Sequence, residues 1–362
     1  MNTKKIKLTL SISVATLILL VILPTIIYNQ YVYMRLDTSR FPLEQKWSSR
    51  VDAKILELSV TNDGKLVFAR TASRLYAIDA QTGQEVWSFT LSYQIDSSPA
   101  IAVNENIYIA DSKTLWALNQ KNGDVIWRQP LSKVNEQVIA ASDTAILVCS
   151  TSSNVSAYDP KNGSLLWKFP VYWHHEKFYV NKNTIYVPED GVYAINLPAG
   201  QVVREKGTDA VTDSRFYNDI IYYVTTEDIV AFNTQNESEI WRHNLQLSEY
   251  GLPKIEVYDK FILVMDMKSV FKLSRDTGKL IWKVSASEPS NPSIIGDDIF
   301  VLEEFDKTIR SFQIENGKDT GSLKFSGYQI LVADSRQNMV AFGDMLFFVR
   351  GNEILGFAPK GK

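Results

Sequence analysis

The chain has 362 residues, a length that fits either two domains or one array of repeats. Its formal net charge of −3 provides no electrostatic attraction for nucleic acid, so no nucleic-acid partner is expected. The single cysteine, Cys149, excludes an internal disulfide and any metal cluster built on several thiolates.

The first predicted element is an apolar segment near the N-terminus. Three lysines within the first seven residues precede an uncharged run from Leu8 to Met34. This run is long enough to cross the hydrocarbon layer of a bilayer, and the lysines favour a cytoplasmic N-terminus. A cleaved signal peptide is the alternative, although no small-residue cleavage site follows the run. We expect a cytoplasmic segment (1–7), a transmembrane signal-anchor (8–28), a linker (29–42) and an extracytoplasmic domain (43–362) of a single-pass cell-membrane protein.

After residue 34, a five-residue motif of aliphatic, any, small, apolar and polar type recurs about every 40 residues. A period of this length indicates a repeat architecture. The copies are "LYAID" (75–79), "LWALN" (115–119), "VSAYD" (155–159), "VYAIN" (192–196), "IVAFN" (229–233), "VFKLS" (270–274), "IRSFQ" (309–313) and "ILGFA" (354–358).

Each period contains four short strand signals separated by polar turns. In residues 97–131, "SSPAIAV", "IYIAD", "TLWALNQ" and "VIWRQPL" are the apolar or alternating stretches. Four such strands in every 40 residues predict propeller blades, whereas a helical solenoid would show 3.6-residue periodicity. A glycine precedes most fourth strands and a tryptophan begins them: Gly83, Gly123, Gly163 and Gly278, with Trp87, Trp127, Trp167, Trp241 and Trp282.

The two ends of the chain complement each other. Trp47 lies 40 residues before Trp87, yet no blade precedes it, and the eighth motif ends only four residues before the C-terminus. The last blade therefore lacks an outer strand, which residues 43–50 would supply, and pairing of the two ends would remove exposed sheet edges. The predicted fold class is all-β: an eight-bladed β-propeller of four-stranded blades, closed by the N-terminal strand and preceded by one transmembrane helix.

The segments "LYAIDAQTGQEVW", "LWALNQKNGDVIW" and "VSAYDPKNGSLLW" resemble the pyrroloquinoline quinone (PQQ) enzyme repeat of the quinoprotein alcohol dehydrogenase-like family. The resemblance covers residues 43–358 and implies that Trp47 and the fourth-strand tryptophans dock between neighbouring blades. The later copies are degraded, because Arg204 and Gly321 stand where tryptophan is expected and Glu237 where glycine is expected.

The family includes dehydrogenases as well as non-enzymatic relatives. One relative is the propeller lipoprotein of the bacterial outer-membrane assembly machinery, which this chain resembles most in type, although it lacks a lipobox cysteine. Family dehydrogenases place a disulfide of adjacent cysteines against the quinone and hold Ca²⁺ with oxygen ligands. This chain has one cysteine and no D-x-D-x-D loop, so we expect no enzyme, no cofactor and no catalytic or metal residue.

One loop stands out as a candidate interaction surface, "YWHHEKFY" (172–179), which links the predicted blades 3 and 4. Tyrosine and tryptophan are typical of protein-binding surfaces. Metal binding or a pH switch at the two histidines, and ordinary loop packing, are the alternatives. The predicted surface consists of Tyr93, Trp173, His174, His175, Glu176, Tyr250 and Tyr328. Other links between blades add acidic residues that would favour a basic partner: Asp96, Glu136, Asp209, Glu249 and Glu288.

The sequence therefore predicts a membrane-anchored, extracytoplasmic, non-catalytic module that binds protein partners or acts as a scaffold in cell-envelope assembly. The alternatives are a PQQ- or metal-dependent oxidoreductase and a ligand-sensing ectodomain, because a fold by itself does not determine function.

Overall fold

The computed structural model describes residues 36–92, 100–131, 136–150, 154–170, 179–181, 184–188, 191–196, 201–207, 211–236, 238–248, 251–303, 307–325 and 338–361. Within these residues, 32 strands form eight antiparallel sheets of four strands each. Each sheet is one blade, and consecutive blades follow one another along the chain. We call the contact between two consecutive blades a seam.

The first half of the chain forms an initial strand and blades 1 to 4. Strand β1 (Leu43–Arg50) precedes blade 1. Blade 1 contains β2 (Ile55–Val60), β3 (Leu66–Thr71), β4 (Arg74–Asp79) and β5 (Glu85–Thr90), and blade 2 contains β6 (Ile101–Val103), β7 (Asn106–Ala110), β8 (Thr114–Asn119) and β9 (Val125–Pro130). Blade 3 contains β10 (Glu136–Ala141), β11 (Ile146–Ser150), β12 (Asn154–Tyr158) and β13 (Leu165–Pro170), and blade 4 contains β14 (Tyr179–Asn181), β15 (Thr184–Pro188), β16 (Gly191–Asn196) and β17 (Gln201–Gly207).

The second half repeats this pattern. Blade 5 contains β18 (Asp213–Tyr217), β19 (Ile220–Val224), β20 (Asp228–Asn233) and β21 (Ser238–Asn244), and blade 6 contains β22 (Lys254–Val257), β23 (Phe261–Met265), β24 (Ser269–Ser274) and β25 (Leu280–Ser285). Blade 7 contains β26 (Ser293–Ile295), β27 (Asp298–Glu303), β28 (Thr308–Gln313) and β29 (Asp319–Lys324), and blade 8 contains β30 (Met339–Phe342), β31 (Met345–Arg350), β32 (Glu353–Pro359) and β1.

The second strand of a blade is apolar on both faces because both faces are covered by other blades. In β7, Ile107 and Ile109 pack against blade 1, whereas Tyr108 and Ala110 pack against blade 3. All four side chains are at most 2% exposed. In the outer strand β5, Trp87 is buried and Phe89 is half-buried, whereas the other four side chains are exposed, as expected for a strand with one covered face. The core therefore lies in the seams.

All eight outer strands carry a β-bulge at the same place. In blade 2, Ala117 pairs with Trp127 but Leu118 pairs with Val125, so Ile126 is the extra residue. The same one-residue shift occurs in the other seven outer pairs. A bulge increases the local twist and redirects the side chain beside it. In blades 1, 2, 5, 6 and 8 that side chain is a tryptophan that bonds to the next blade.

The fourth-strand tryptophan locks one blade to the next. The indole Nε1 of Trp127 donates a hydrogen bond to the Pro160 carbonyl oxygen in blade 3, at 3.0 Å. Its ring covers Gly163, where a Cβ atom would lie 2.6 Å from Trp127 Cε3. Gly163 also has a φ of 73°, which glycine adopts at the lowest cost. Four further described seams have this indole–carbonyl bond: Trp47–Ala80, Trp87–Gln120, Trp241–Arg275 and Trp282–Ile314.

The predicted docking residues are thus placed in the seams, together with Gly83, Gly123 and Gly278, which lie under Trp47, Trp87 and Trp241. Trp167 occupies the same position in β13, opposite Ala157, but the segment of blade 4 that follows β16 lies outside the described residues. Gly317 lies under Trp282 in the same way. The repeat pattern indicated these positions, and the family resemblance implied their docking role.

Strand β1 completes the last blade. The sequence predicted this pairing, because the eighth repeat lacks an outer strand of its own. Leu43 pairs with Pro359 and Arg50 pairs with Glu353 in an antiparallel register. Blade 8 then contacts blade 7 through one apolar cluster and blade 1 through another. The two ends of the chain therefore share one sheet, and the ring closes there without an exposed edge between the termini.

The seam between blades 7 and 8 is built differently. Blade 7 has Gly321 at the tryptophan position, and the chain before β1 fills the space. The Ser322 amide donates a hydrogen bond to the Arg40 carbonyl oxygen at 2.9 Å, and a Cβ on Gly321 would lie 2.0 Å from that oxygen. Phe41, 1% exposed, packs edge-on against Phe300 at 5.6 Å between ring centroids.

Phe41 thereby takes the role of the missing tryptophan. In blade 2 the docking indole of Trp127 packs against Tyr108, a second-strand residue paired with Ala117. Phe300 is the corresponding second-strand residue of blade 7, since it pairs with Ser311. We call residues 38–42 the N-terminal clasp, because they hold blade 7 to blade 8.

The membrane part of the predicted fold class and localisation is corrected by the structure. Among the described residues, none forms a helix with the length and apolarity needed to cross a membrane. The predicted anchor, residues 8–28, lies outside the described part of the chain. That prediction was based on the length and hydropathy of the segment alone. We therefore assign no transmembrane helix, membrane partner or single-pass localisation, and the domain boundaries stay predictions.

Candidate functional site

The described ends of the links between blades lie on the face that also carries the turns between second and third strands. The amide of Leu91, the first residue after β5, donates a hydrogen bond to the Ser73 carbonyl in the β3–β4 turn at 2.9 Å. Leu131 bonds to Lys113 in the same way, at 2.7 Å. We call this side of the ring the loop face. It is the side on which the sequence predicted an interaction surface.

The predicted interaction residues themselves fall outside the described part of the chain. This applies to Tyr93, Trp173, His174, His175, Glu176, Tyr250 and Tyr328. Their described neighbours lie on the loop face: the Ser92 amide donates to Asp111 Oδ2 at 3.2 Å, and the Ser248 amide donates to Asp266 Oδ2 at 2.9 Å.

Buried carboxylates fix the described links to the next blade. Asp111, fully buried at the end of β7, accepts the amide of Ser92 and the indole N–H of Trp116. Asp266 accepts the amides of Ser248 and Lys268. Charged acceptors make stronger hydrogen bonds than neutral ones, so these links are held in defined positions. The sequence showed no signal for this role, because a single acid after a strand resembles an ordinary turn residue.

Glu303 performs the same task for the link between blades 6 and 7. Its Oε1 accepts the Ser287 amide at 3.2 Å and contacts Arg310 Nη1 at 2.9 Å. Glu303 is 4% exposed. Since the guanidinium compensates the buried carboxylate, Glu303 can anchor the link without an isolated charge in the interior.

A cavity of about 230 Å³ opens on the loop face between the links before and after blade 6. We call it the blade 6–7 cleft. Its wall combines exposed apolar surface with charged groups from three chain segments: Leu252, Lys254, Met265, Asp266, Met267, Glu288 and Pro289. Of the acidic and aromatic link residues singled out in the sequence, Glu288 is described with its side chain and lies in this wall.

Charged side chains also occur on the innermost strands. Glu57 in β2 lies 3.4 Å from Arg70 Nε in β3, and both side chains are buried. Burial raises the pKa of Glu57 to about 7, although Arg70 opposes this shift. Arg215 in β18 contacts Asp213 at 3.0 Å and forms an ion pair with Glu256 of blade 6. These pairs connect neighbouring strands and blades near the ring centre.

The described residues contain no group of three or more histidine, cysteine or carboxylate side chains arranged to hold a metal ion. Cys149 lies in β11, half-buried.

Proteins of known structure share this architecture, whereas the search of curated proteins found no match. A crystal structure of BamB from Moraxella catarrhalis is similar, with a TM-score of 0.68 at 13% identity, covering 87% of this chain and 99% of that chain. The computationally designed Ika8 protein is also similar, with a TM-score of 0.67 at 12% identity, covering 87% and 100%. The likeness to these structures shows the fold.

The family comparison covers most of the chain. A family model described as "Outer membrane protein assembly factor BamB" matches residues 39–218 and 225–362. These two ranges include strands of all eight blades and the N-terminal clasp from Ser39 onward. The chain is therefore a PQQ-repeat propeller that belongs to the BamB family.

Proposed function

We propose that this protein is a non-catalytic module that binds protein partners during assembly of outer-membrane proteins. The family match over residues 39–218 and 225–362 is the observation that carries the proposal, since the family description names an outer-membrane assembly factor. The fold by itself does not select a function.

The geometry supports a binding role. Tryptophan locks and the N-terminal clasp hold the blades, and buried carboxylates hold the described links on the loop face. A surface that is already ordered loses little conformational entropy when it binds a partner. The predicted interaction residues Tyr93, Trp173, His174, His175, Glu176, Tyr250 and Tyr328 belong to links between blades, and we include them in the proposed partner-binding surface.

Two features of the full sequence support a non-catalytic role. The chain has one cysteine, so it lacks the adjacent pair that the family's dehydrogenases place against the quinone. It also lacks a D-x-D-x-D loop of the kind that supplies several oxygen ligands to Ca²⁺.

A deletion strain of the organism that encodes the chain tests the function. We expect loss of the gene to lower the amount of folded β-barrel protein in the outer membrane, measured by heat-modifiable gel mobility. Re-expression of the full chain should restore it. Unchanged levels of folded barrels in the deletion strain would refute a role in this assembly process.

A second measurement addresses the oxidoreductase alternative. Pyrroloquinoline quinone and Ca²⁺ are added to the purified full chain, which is then passed over a desalting column. We expect no chromophore to remain with the protein. Retention of one quinone per chain would favour the oxidoreductase instead.

A further inference from the structure

We propose that the blade 6–7 cleft binds a segment of a partner protein in which an apolar side chain stands next to a lysine or arginine. This inference rests on the proposed function and specifies where a partner docks and which chemistry it presents.

The apolar part of the cleft is exposed before any partner binds. Leu252 is 69% exposed, the highest value among the large apolar side chains of the described residues. The chain is held there closely, because Gly251 has a φ of 82° and a Cβ at this position would lie 2.4 Å from Met267 Cγ. Methionine adapts its shape to different apolar partners, which suits a binding surface.

The charged part of the cleft favours a cation. Two carboxylates, of Asp266 and Glu288, and one ammonium group, of Lys254, line the cleft. Asp266 accepts two backbone amides, whereas the Glu288 carboxylate has no hydrogen bond or ion pair among the residues that the structure describes. A lysine or arginine of a partner would complement this net negative charge.

The wall that carries Glu288 is held in place before binding. Glu288 has a φ of 45°, a conformation that is rare for a residue with a Cβ. Its amide donates a hydrogen bond to the Met267 carbonyl at 2.9 Å, and the preceding Ser287 is bound by Glu303. A strained residue that the surrounding structure fixes is a common feature of binding sites.

The size of the cleft favours side chains of a protein over a cofactor. Small-molecule sites typically measure roughly 300–1,000 Å³. The cleft, at about 230 Å³, is below this range and accommodates one or two side chains. Together with the open apolar rim, this volume fits an extended peptide that inserts one apolar and one basic side chain.

Selection from a displayed library of random 12-residue peptides on the immobilised full chain tests the proposal. We expect enrichment of peptides in which an aliphatic or aromatic residue stands next to lysine or arginine. The Leu252→Asp and Glu288→Lys variants should bind these peptides at least tenfold more weakly. The matched control is Leu280→Asp, a leucine 53% exposed on β25 of the same blade but outside the cleft, which should bind as the wild type does.

A charge swap makes the test specific. Peptides in which the basic residue is replaced by glutamate should bind the Glu288→Lys variant more tightly than they bind the wild type. Thermal melts of all variants establish that each is folded; should Leu252→Asp unfold, Leu252→Ser replaces it.

Two results would overturn the proposal: no enrichment of such peptides, or equal binding by the wild type and both cleft variants. The proposed function is judged separately, from folded barrel levels in the deletion strain. A deletion phenotype that both cleft variants fully complement, with no peptide binding, would refute the cleft and leave the function standing.

Discussion

The seam between blades 2 and 3 and the seam between blades 7 and 8 solve one packing problem in two ways. In the first, Trp127 comes from the outer strand of blade 2 itself and rests on Tyr108 and Gly163. In the second, the outer strand of blade 7 has Gly321, and Phe41 rests on Phe300 instead.

The difference lies in where the locking ring comes from along the chain. Trp127 acts on a blade that follows immediately, so its lock forms from local segments. Phe41 is more than 250 residues from Phe300 and can lock only when the two ends of the chain meet. The seam between blades 7 and 8 therefore depends on ring closure, because the loop that must be closed is nearly the whole chain.

The largest expected effect comes from removing strand β1. Deletion of residues 43–50 leaves β32 as an unpaired apolar edge, so we predict aggregation in place of a soluble monomer, measured by size-exclusion chromatography. The control is a circular permutant in which residues 36–50 follow Lys360 through a short turn, since Leu43 already pairs with Pro359. This permutant should be monomeric. A soluble, monomeric deletion variant would contradict closure by β1.

Removing the locking ring in either seam should have the next largest effect. Phe41→Ala should lower the free energy of unfolding by about 3–5 kcal/mol, the usual range for deleting a large buried ring. Trp127→Ala removes a ring that is only partly buried and should cost about 3 kcal/mol, the lower end of that range. Chemical denaturation measures this quantity. Ile126→Ala, which removes a side chain 46% exposed beside Trp127, should stay within about 0.5 kcal/mol of the wild type.

The two variants should differ in where they loosen the molecule. Phe41→Ala should accelerate hydrogen exchange at the Ser322 amide, whose acceptor is the Arg40 carbonyl of the clasp. Trp127→Ala should leave that amide unchanged. Equal exchange at Ser322 in both variants would show that the clasp does not depend on Phe41.

A pH titration should distinguish the closing region from the seam between blades 2 and 3. The pKa of Glu57, in blade 1 beside the closing blade, is raised by burial from 4.5 to about 7. The folded state therefore binds the proton more tightly than the unfolded chain. Its stabilisation is complete below about pH 4.5 and is lost as pH rises through about 7, a change of about 3 kcal/mol at most.

The readout is the free energy of unfolding between pH 5 and pH 8, compared for the wild type and Glu57→Gln. The slope should be shallower in the variant, whatever its absolute stability, because glutamine does not titrate. Trp127→Ala should keep the slope of the wild type. Identical slopes for the wild type and Glu57→Gln would mean that Glu57 does not titrate in this range.

The smallest expected effect is that of a methyl group at the clasp. Gly321→Ala places a Cβ 2.0 Å from the Arg40 carbonyl oxygen, so we predict a loss of about 1–3 kcal/mol as the clasp shifts. Combined with Phe41→Ala, the cost should be less than the sum, because both changes disrupt the same contact. Gly343→Ala, where a Cβ would meet nothing within 4 Å, measures backbone strain alone. If the two losses of stability add fully in the double variant, Gly321 and Phe41 do not support the same contact.

The seam residues show how far the sequence could predict this structure. The tryptophans, the turn glycines and the strand at residues 43–50 follow from the repeat, because each blade faces the same packing problem. At Gly321 the sequence showed only that the tryptophan expected from the repeat is missing. Its partner Phe41 is not part of the repeat, so its role could not be predicted from periodicity. One signal was available: Phe300 is an aromatic residue of a second strand, like Tyr108 and Phe347, and so needs another aromatic side chain packed against it.

The candidate site was predicted less completely than the fold. The sequence placed a binding surface on the links between blades, and the structure describes a cleft at two of these links. Of its wall, the sequence singled out Glu288, while Leu252 and Met267 resemble ordinary loop residues in a linear chain. Their significance depends on exposure and on neighbours from other segments, neither of which a single sequence contains.

By itself, the sequence determined that this protein is built of repeated four-stranded blades, because periodic hydrophobicity and turn chemistry act locally, while the family resemblance implied that tryptophans lock them. Only the tertiary structure decided how Phe41 replaces a tryptophan in blade 7 and how Leu252, Met267 and Glu288 come together on the loop face. Both depend on contacts between segments that are distant in the chain or joined by irregular links. Such contacts are set by the closing of the ring and by the side-chain packing it allows.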